Sequence, residues 1–164
     1  MTEPASISGI IDPDSDRGPS PRKVAMDCLA RREHSRAELC AKLIKKDIDA
    51  DEAEATVARL AEQGLVSDER FAEAFVAARI RKGQGPVRLR LELEQRGVSD
   101  RLIEQVVAAA GVDWAALARS VREKKHGADV PGEYRERAKQ MRFLQYRGFT
   151  HEQIQRALGE DDFE

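Results

Sequence analysis

The chain has 164 residues, of which 41% are hydrophobic, 35% are charged and 5% are aromatic, and its formal net charge is −2. The hydrophobic residues are mainly Ala, Leu and Val, which is typical of amphipathic helices and predicts an all-α protein. No apolar run approaches the roughly 20 residues of a membrane-spanning helix, and residues 1–21 lack the pattern of a secretory signal. The two cysteines, Cys28 and Cys40, fit reduced and partly buried structural residues. We therefore expect a cytoplasmic protein that makes no membrane contact.

Capping residues divide the chain into nine predicted helices, three to each of three units. Ser35 and Glu38 are spaced as in a capping box, and Gly64 and Gly111 stand where a glycine commonly ends a helix. The predicted N-caps are Ser35, Asp49, Ser67, Gly85, Ser99, Asp113 and Thr150. The predicted organisation is a flexible, Pro-containing tail at residues 1–20, three-helix repeats at 21–65, 66–111 and 112–159, and an acidic tail at 160–164.

Residues 87–94 alternate between apolar and charged side chains, a pattern that on its own indicates a β-strand. Leu, Arg and Glu are nevertheless good helix formers, and no β-branched residue follows Val87 in this stretch. The stretch also aligns with residues 36–46 of the first unit, which have a clear helical pattern. We therefore predict a helix, with Gly85 as its N-cap and Pro86 at its first position.

An apolar pattern recurs in all three units at a spacing of 50 or 51 residues. Each copy has a leucine-bearing helix, then a Gly or Asp, one apolar residue and a helix-capping residue. The matched positions are Leu39, Leu43, Ile48 and Val57, then Leu89, Leu93, Val98, Ile103 and Val107, and finally Leu144, Phe149, Ile154 and Leu158. Tandem units bury their apolar faces against their neighbours and build an elongated body. The pattern therefore predicts three stacked three-helix repeats with a long binding surface.

Basic residues concentrate in residues 20–46, 79–96 and 119–147, whereas acidic residues concentrate in residues 47–62 and at the C-terminus. In stacked repeats, equivalent basic segments form a row of cations, and such a row suits a polymeric anion. The candidate filament-binding or DNA-binding residues are Arg79, Arg81, Lys82, Arg88, Arg90, Arg96, Lys124, Lys125, Arg135, Lys139, Arg142 and Arg147. The alternative interpretation is that they form solvated helix faces paired with acidic neighbours such as Glu92.

Signals for catalysis are weak. His34, His126 and His151 belong to three different repeats, and no Cys or carboxylate stands at a ligand interval from any of them. The Gly83–Gly85 segment is followed by Pro86 rather than by the Lys-Ser of a phosphate-binding loop, and this predicts a turn. We predict a protein that is not an enzyme and that holds neither a metal nor a cofactor.

The second unit carries the most specific motif in the chain. Residues 67–79 read SDERFAEAFVAAR, Lys82-Gly83 follow, and then comes Arg88-Leu89-x-x-Glu92-Leu93-x-x-Arg96-Gly97-Val98. The first unit has Ser35-x-x-Glu38-Leu39-x-x-Lys42-Leu43, and the third has Phe143-Leu144-x-x-Arg147-Gly148-Phe149. On these motifs the chain resembles the RecX family of recombinase regulators over about residues 20–158. It departs from the pattern at Asp47, where the later repeats have glycine, and we expect this residue to alter the helix end in the first repeat.

The resemblance implies three tandem three-helix repeats in an elongated, curved molecule that modulates RecA. It implies binding in the helical groove of the RecA filament on single-stranded DNA, with contacts to neighbouring protomers. The implied effects are hindrance of filament growth, ATP hydrolysis, strand exchange and co-protease activity. The expected partners are therefore the RecA filament and single-stranded DNA, contacted directly or through the filament, and we expect the protein to be a monomer.

Two other functions stay open at the level of the sequence. A helix-turn-helix protein would place a recognition helix in the major groove of duplex DNA and act on gene expression. A helical adaptor, with charges that serve only solubility, would show no salt-sensitive affinity for nucleic acid. Binding to single-stranded and duplex DNA, each with and without recombinase, separates these possibilities.

Overall fold

The computed structural model describes residues 18–160, and every regular element in that range is an α-helix. The helices are α1 (Pro21–Arg31), α2 (Arg36–Lys45), α3 (Ala50–Glu62), α4 (Asp68–Arg81), α5 (Pro86–Gln95), α6 (Asp100–Ala109), α7 (Trp114–His126), α8 (Tyr134–Tyr146) and α9 (His151–Ala157). The all-α prediction and the nine predicted helices are confirmed for this part of the chain. Residues 1–17 of the predicted N-terminal tail and residues 161–164 of the acidic tail lie outside it. Within residues 18–160, no helix is both long enough and apolar enough to cross a bilayer.

Helices begin where the capping residues predict. Thr150 forms a complete capping box: its Oγ1 accepts from the amide of Gln153, and Gln153 Oε1 accepts from the amide of Thr150. At Ser35 the first half of the box is present, since Ser35 Oγ accepts from the amide of Glu38. The Glu38 carboxylate, however, pairs with the guanidinium of Arg32. Glu38 therefore links the start of α2 to Arg32, the residue that follows α1.

The segment with strand-like alternation is helix α5, which confirms the helical prediction. Leu89 and Leu93 lie four residues apart and are fully buried. Val87 and Leu91 are 52% and 53% exposed. The alternation therefore comes from two apolar residues left on the outer side of the helix.

The expectation that Asp47 alters the helix end is wrong. Asp47 has a φ of 64°, in the same left-handed region as Gly97 and Gly148, with φ of 78° and 95°. The next amide in each repeat donates to a leucine carbonyl: Ile48 to Leu43 (3.2 Å), Val98 to Leu93 (3.1 Å) and Phe149 to Leu144 (3.2 Å). Aspartate is among the residues that tolerate this region best, so the turn is the same in all three repeats.

Each three-helix repeat encloses an apolar core of its own. We call α1–α3 repeat 1, α4–α6 repeat 2 and α7–α9 repeat 3. Among the core residues are Leu39, Leu43 and Leu60 in repeat 1, Leu89, Leu93 and Ile103 in repeat 2, and Leu144, Ile154 and Leu158 in repeat 3. The prediction that the repeats bury their main apolar faces against each other is therefore wrong. Trp114 packs against the cores of both repeat 2 and repeat 3.

Backbone hydrogen bonds join repeat 2 to repeat 3 at the ends of their middle helices. The amide of Gly85 donates to the carbonyl oxygen of Arg147 (2.8 Å), and the amide of Val87 donates to that of Gly148 (2.9 Å). The N-terminal amides of α5 thus meet the C-terminal carbonyls of α8. Both sets of groups lack partners inside their own helices, and the helix dipoles favour this arrangement.

The same arrangement joins repeat 1 to repeat 2. The hydroxyl of Ser35, at the start of α2, donates to the carbonyl oxygen of Arg96, at the end of α5 (2.6 Å). The amide of Arg36 donates to Oδ1 of Asp68 in repeat 2 (2.7 Å). The three middle helices therefore follow one another head to tail, in the order α8, α5 and α2, and the repeats touch in series as an elongated body.

Close backbone contact at these junctions explains the difference between Asp47 and the two glycines. A Cβ atom on Gly148 would lie 2.3 Å from the Cβ of Arg88, and one on Gly97 would lie 2.5 Å from the Cβ of Ala37. A side chain fits at neither position. Asp47 follows the middle helix of the first repeat, and no repeat precedes this one in the described part of the chain.

Candidate polyanion-binding surface

A cleft of about 300 Å³ lies where the end of α4, helix α7 and the end of α8 meet. We call it the basic cleft. Its charged lining residues are all cations, and they come from both repeat 2 and repeat 3: Arg81, Lys82, Lys124, Lys125 and Arg147. Among residues 18–160, no acidic residue lines it. The basic cleft therefore presents a concentration of positive charge at the junction of two repeats.

Arg147 and the loop before α5 hold the basic cleft in shape. Nη1 of Arg147 donates to the carbonyl oxygen of Lys82 (2.9 Å), and its guanidinium carbon lies 5.4 Å from the centre of the Phe143 ring. Gly83 has a φ of 77°, and a Cβ there would lie 2.7 Å from Cγ2 of Val121. The segment predicted as a turn is thus a turn, and it is glycine because it approaches α7 closely.

The other four cations of the basic cleft are exposed. They are Arg81, Lys82, Lys124 and Lys125. Within residues 18–160, no carboxylate lies within 4.0 Å of their charged nitrogen atoms. Cations that are not neutralised by neighbouring acids raise the local potential and attract anions. These four residues therefore lack the acidic partners that the solvated-face interpretation predicts.

A second cleft, of about 430 Å³, lies between repeat 1 and repeat 2. We call it the aromatic cleft. Its apolar lining comes from α4, with Phe71, Ala74, Phe75 and Ala78, and its charged lining residues are Arg32, Glu33, Arg79, Lys82 and Arg96. Lys82 lines both clefts. The two clefts therefore adjoin, and together they carry cations across all three repeats.

Two arginines of the aromatic cleft stack on one ring. The guanidinium carbons of Arg79 and Arg96 lie 4.6 Å and 4.8 Å from the centre of the Phe75 ring. Arg79 Nε also lies 3.3 Å from Oε2 of Glu92, and Arg88 Nε lies 3.3 Å from Oε1 of the same carboxylate. Glu92 thus joins α4 to α5, and its two arginine partners help to hold these helices together.

The remaining predicted residues lie elsewhere. Arg90 pairs with Glu104 on α6 (3.3 Å), as the solvated-face interpretation predicts. Arg88 contacts Glu92 and has its guanidinium carbon 5.3 Å from the Tyr146 ring. A separate shallow depression on α8 contains Arg135, Lys139 and Arg142. The structure therefore brings seven of the twelve predicted residues to the two clefts: Arg79, Arg81, Lys82, Arg96, Lys124, Lys125 and Arg147.

Two arginines behave differently from the sequence interpretation. Arg32 lines the aromatic cleft although it is not among the predicted residues. Arg122 heads the basic run of α7, yet its residue is 1% exposed. Its Nε donates to the carbonyl oxygen of Ala157 (3.0 Å) and its Nη1 to that of Asp129 (3.2 Å). Arg122 lies four residues after Ala118, so both side chains are on the buried side of α7.

His34 has a structural role. It is 1% exposed, with Nδ1 3.0 Å from the carbonyl oxygen of Arg32 and Nε2 2.7 Å from Nζ of Lys42. An ammonium group can only donate, so Nε2 accepts and the Nδ1–H donates to the carbonyl. Burial lowers the pKa of His34 below its ordinary value, which agrees with a neutral ring. Among the described residues, no group of three His, Cys, Asp or Glu side chains is placed to hold a metal ion.

The fold and these clefts define a class of protein: a tandem array of three-helix units with cationic clefts at the junctions between units. Three family models match in chain order, described as the first, second and third three-helix domains of RecX, at residues 22–60, 67–107 and 112–158. The chain belongs to the RecX family. This confirms the family resemblance seen in the sequence.

Individual relatives agree with this assignment. "Regulatory protein RecX" of Halorhodospira halophila is 48% identical over 141 residues, which cover 86% of this chain and 88% of the relative. The protein of the same name from Pseudomonas fluorescens is 45% identical over 144 residues, with 86% and 93% covered. The crystal structure of RecX from Lactobacillus salivarius has the same fold, with a TM-score of 0.70 at 23% identity over 85% of this chain and 92% of that one. Another RecX crystal structure gives a TM-score of 0.72 at 21% identity, with 86% and 70% covered.

Proposed function

We propose that this protein modulates RecA, mainly as an inhibitor, by binding in the groove of the RecA filament on single-stranded DNA. The basic cleft faces the nucleic acid. The proposal rests on this cleft, which has five cations and no carboxylate among its described lining residues, in a chain of the RecX family. RecA and single-stranded DNA are therefore the proposed partners.

The arrangement of the repeats suits a long, periodic target. The cations of the basic cleft can contact neighbouring phosphates, and each contact releases counterions, which favours binding at low salt. A body of three repeats in series can also contact more than one filament protomer. A ligand that binds one state of the filament opposes every step that needs another state. This is the physical basis on which growth, ATP hydrolysis, strand exchange and co-protease activity would all be hindered.

Charge reversal in the basic cleft tests the proposal. We would measure RecA ATPase activity on single-stranded DNA while titrating the wild type and the double variant Lys124→Glu/Lys125→Glu. The matched control is Lys45→Glu/Lys46→Glu, because these exposed neighbours at the end of α2 line neither cleft. Reversal of Arg88 or Arg96 is less suitable, since both side chains also support the fold.

We expect the wild type and the control variant to inhibit alike. The concentration of the cleft variant that gives half-inhibition should be higher by a factor of about ten or more. Full inhibition by the cleft variant would remove the basic cleft from the interface. If the wild type failed to inhibit at all, the proposed function would be wrong. Sequence-selective binding to duplex DNA without RecA would instead favour the helix-turn-helix alternative.

A further inference from the structure

The aromatic cleft has a different chemical character from the basic cleft. Its floor is apolar, formed by Ala74, Phe75 and Ala78, and its acidic lining residue, Glu33, is paired with Arg70 (3.1 Å). Two of its cations are already paired with carboxylates, namely Arg32 with Glu38 and Arg79 with Glu92. A cleft for phosphates alone needs no apolar floor.

Two cations of the aromatic cleft remain available for an incoming group. Lys82 and Arg96 have no carboxylate within 4.0 Å of their charged nitrogen atoms in the described part of the chain. The Arg96 guanidinium is fixed by its contact with the Phe75 ring and by donation from Nη1 to the carbonyl oxygen of Glu92 (3.1 Å). A fixed guanidinium loses little freedom when it binds a carboxylate.

We propose that the aromatic cleft binds a protein segment in which an apolar side chain is flanked by carboxylates. The apolar side chain would lie over Ala74 and Ala78, and the carboxylates would pair with Lys82 and Arg96. A nucleic-acid strand would pair its phosphates with the cations but has no aliphatic side chain to place over the apolar floor. A peptide of this composition gains from both the apolar floor and the charged rim.

The size and position of the cleft agree with this occupant. Its volume of about 430 Å³ lies within the range of small-ligand clefts and accommodates a large apolar side chain with its adjoining backbone. Because Lys82 lines both clefts, the peptide site and the phosphate site are neighbours. The inference thus extends the proposed function, because it states what kind of protein contact accompanies the contact with DNA. Only the identity of the protein partner rests on that function.

A labelled synthetic peptide tests the cleft directly. The probe is the peptide Gly-Ser-Asp-Asp-Phe-Asp-Asp-Ser-Gly, and its binding to the full chain is measured by fluorescence polarisation. Three competitors are used: the same peptide with Ser for Phe, the same peptide with Asn for Asp, and an oligothymidylate. The test variant is Ala74→Glu, which places a carboxylate on the cleft floor. The control is Ala77→Glu, because Ala77 is exposed on the same helix and does not line the cleft.

We expect the peptide to bind saturably to the wild type and to Ala77→Glu. Its affinity for Ala74→Glu should be lower by a factor of about ten or more. Neither substituted peptide should compete well, and all three proteins should bind the oligothymidylate alike. The inference is overturned if the peptide shows no saturable binding up to about 1 mM, if Ala74→Glu binds it as the wild type does, or if only the oligothymidylate occupies the cleft. Inhibition of RecA by the wild type, measured separately, shows whether the proposed function fails independently of this inference.

Discussion

Replacement of Gly148 by alanine should break the junction between repeats 2 and 3. The new Cβ would lie 2.3 Å from the Cβ of Arg88 and 2.8 Å from its amide nitrogen. Both distances are far inside normal van der Waals contact, so α5 and α8 must move apart. That movement would also weaken the hydrogen bonds that the amides of Gly85 and Val87 donate across the junction.

The magnitude follows from two contributions. An alanine at a φ of 95° costs about 1–2 kcal/mol in backbone strain, and the overlap adds about 1–3 kcal/mol. Gly64→Ala is the matched control, because Gly64 has a φ of 72° and no atom of residues 18–160 lies within 4 Å of a built Cβ. The control carries the strain and the same change in the entropy of the unfolded chain. The difference between the two variants should therefore be about 1–3 kcal/mol in the free energy of unfolding.

Urea unfolding followed by circular dichroism gives this difference. Trp114 is the single tryptophan and packs against the cores of both repeats, so its fluorescence reports on the same junction. We expect the fluorescence transition of Gly148→Ala to occur at lower urea than its circular dichroism transition. Equal losses of stability in Gly148→Ala and Gly64→Ala, with coincident transitions, would refute the head-to-tail contact as the link between repeats.

Three further predictions concern the buried arginine, a histidine and the basic cleft. Arg122→Met removes the donors to the carbonyl oxygens that Arg122 contacts and should lower the free energy of unfolding by about 2–4 kcal/mol. Lys125→Met, on the exposed side of the same helix, should change it by less than about 0.5 kcal/mol. Similar losses for the two variants in urea unfolding would contradict a stabilising role for buried Arg122. Burial lowers the folded pKa of His34 below 6.5, so the unfolded chain takes up a proton first; stability should be full above about pH 6.5 and fall as the pH drops through the folded pKa. His34→Gln should flatten that decline in urea unfolding between about pH 5 and pH 8, and an unchanged pH dependence would show that His34 does not contribute. If Lys124 and Lys125 each contact a phosphate of single-stranded DNA, their joint reversal should reduce the slope of log affinity against log salt by about 1.4, and an unchanged slope would place the phosphates elsewhere.

The local features of the fold could be predicted because they depend on neighbours in sequence. Thr150 caps α9 through its own turn, and the leucine spacing of Leu89 and Leu93 identifies the buried face of α5. The same helix shows the limit of this reasoning. Arg88 and Arg90 are both predicted binding residues, yet Arg88 contacts Glu92 while Arg90 pairs with α6. Residues two positions apart on a helix, such as these, differ by about 200° in direction, and only the packed structure shows what each side faces.

The contacts between repeats could not be predicted from the sequence, for a different reason. The pattern of Asp47, Gly97 and Gly148 suggests a difference in the turn, whereas the turn is the same and the neighbouring repeat makes the difference. Within repeat 3, Arg122 belongs to a basic segment of the sequence, and its burial follows from carbonyl groups that α9 and the loop after α7 bring to it. Such long-range contacts leave no local periodicity.

Site-specific photocrosslinking tests the central claim, that the basic cleft faces the nucleoprotein filament. A benzophenone side chain would replace Ser120, which is exposed and lines the basic cleft, or Ala55, which is exposed on α3 and lines neither cleft. On RecA filaments assembled on single-stranded DNA, the probe at position 120 should form crosslinks to the strand or to RecA, and the probe at position 55 should give only background. Crosslinks from position 55 alone would contradict the account.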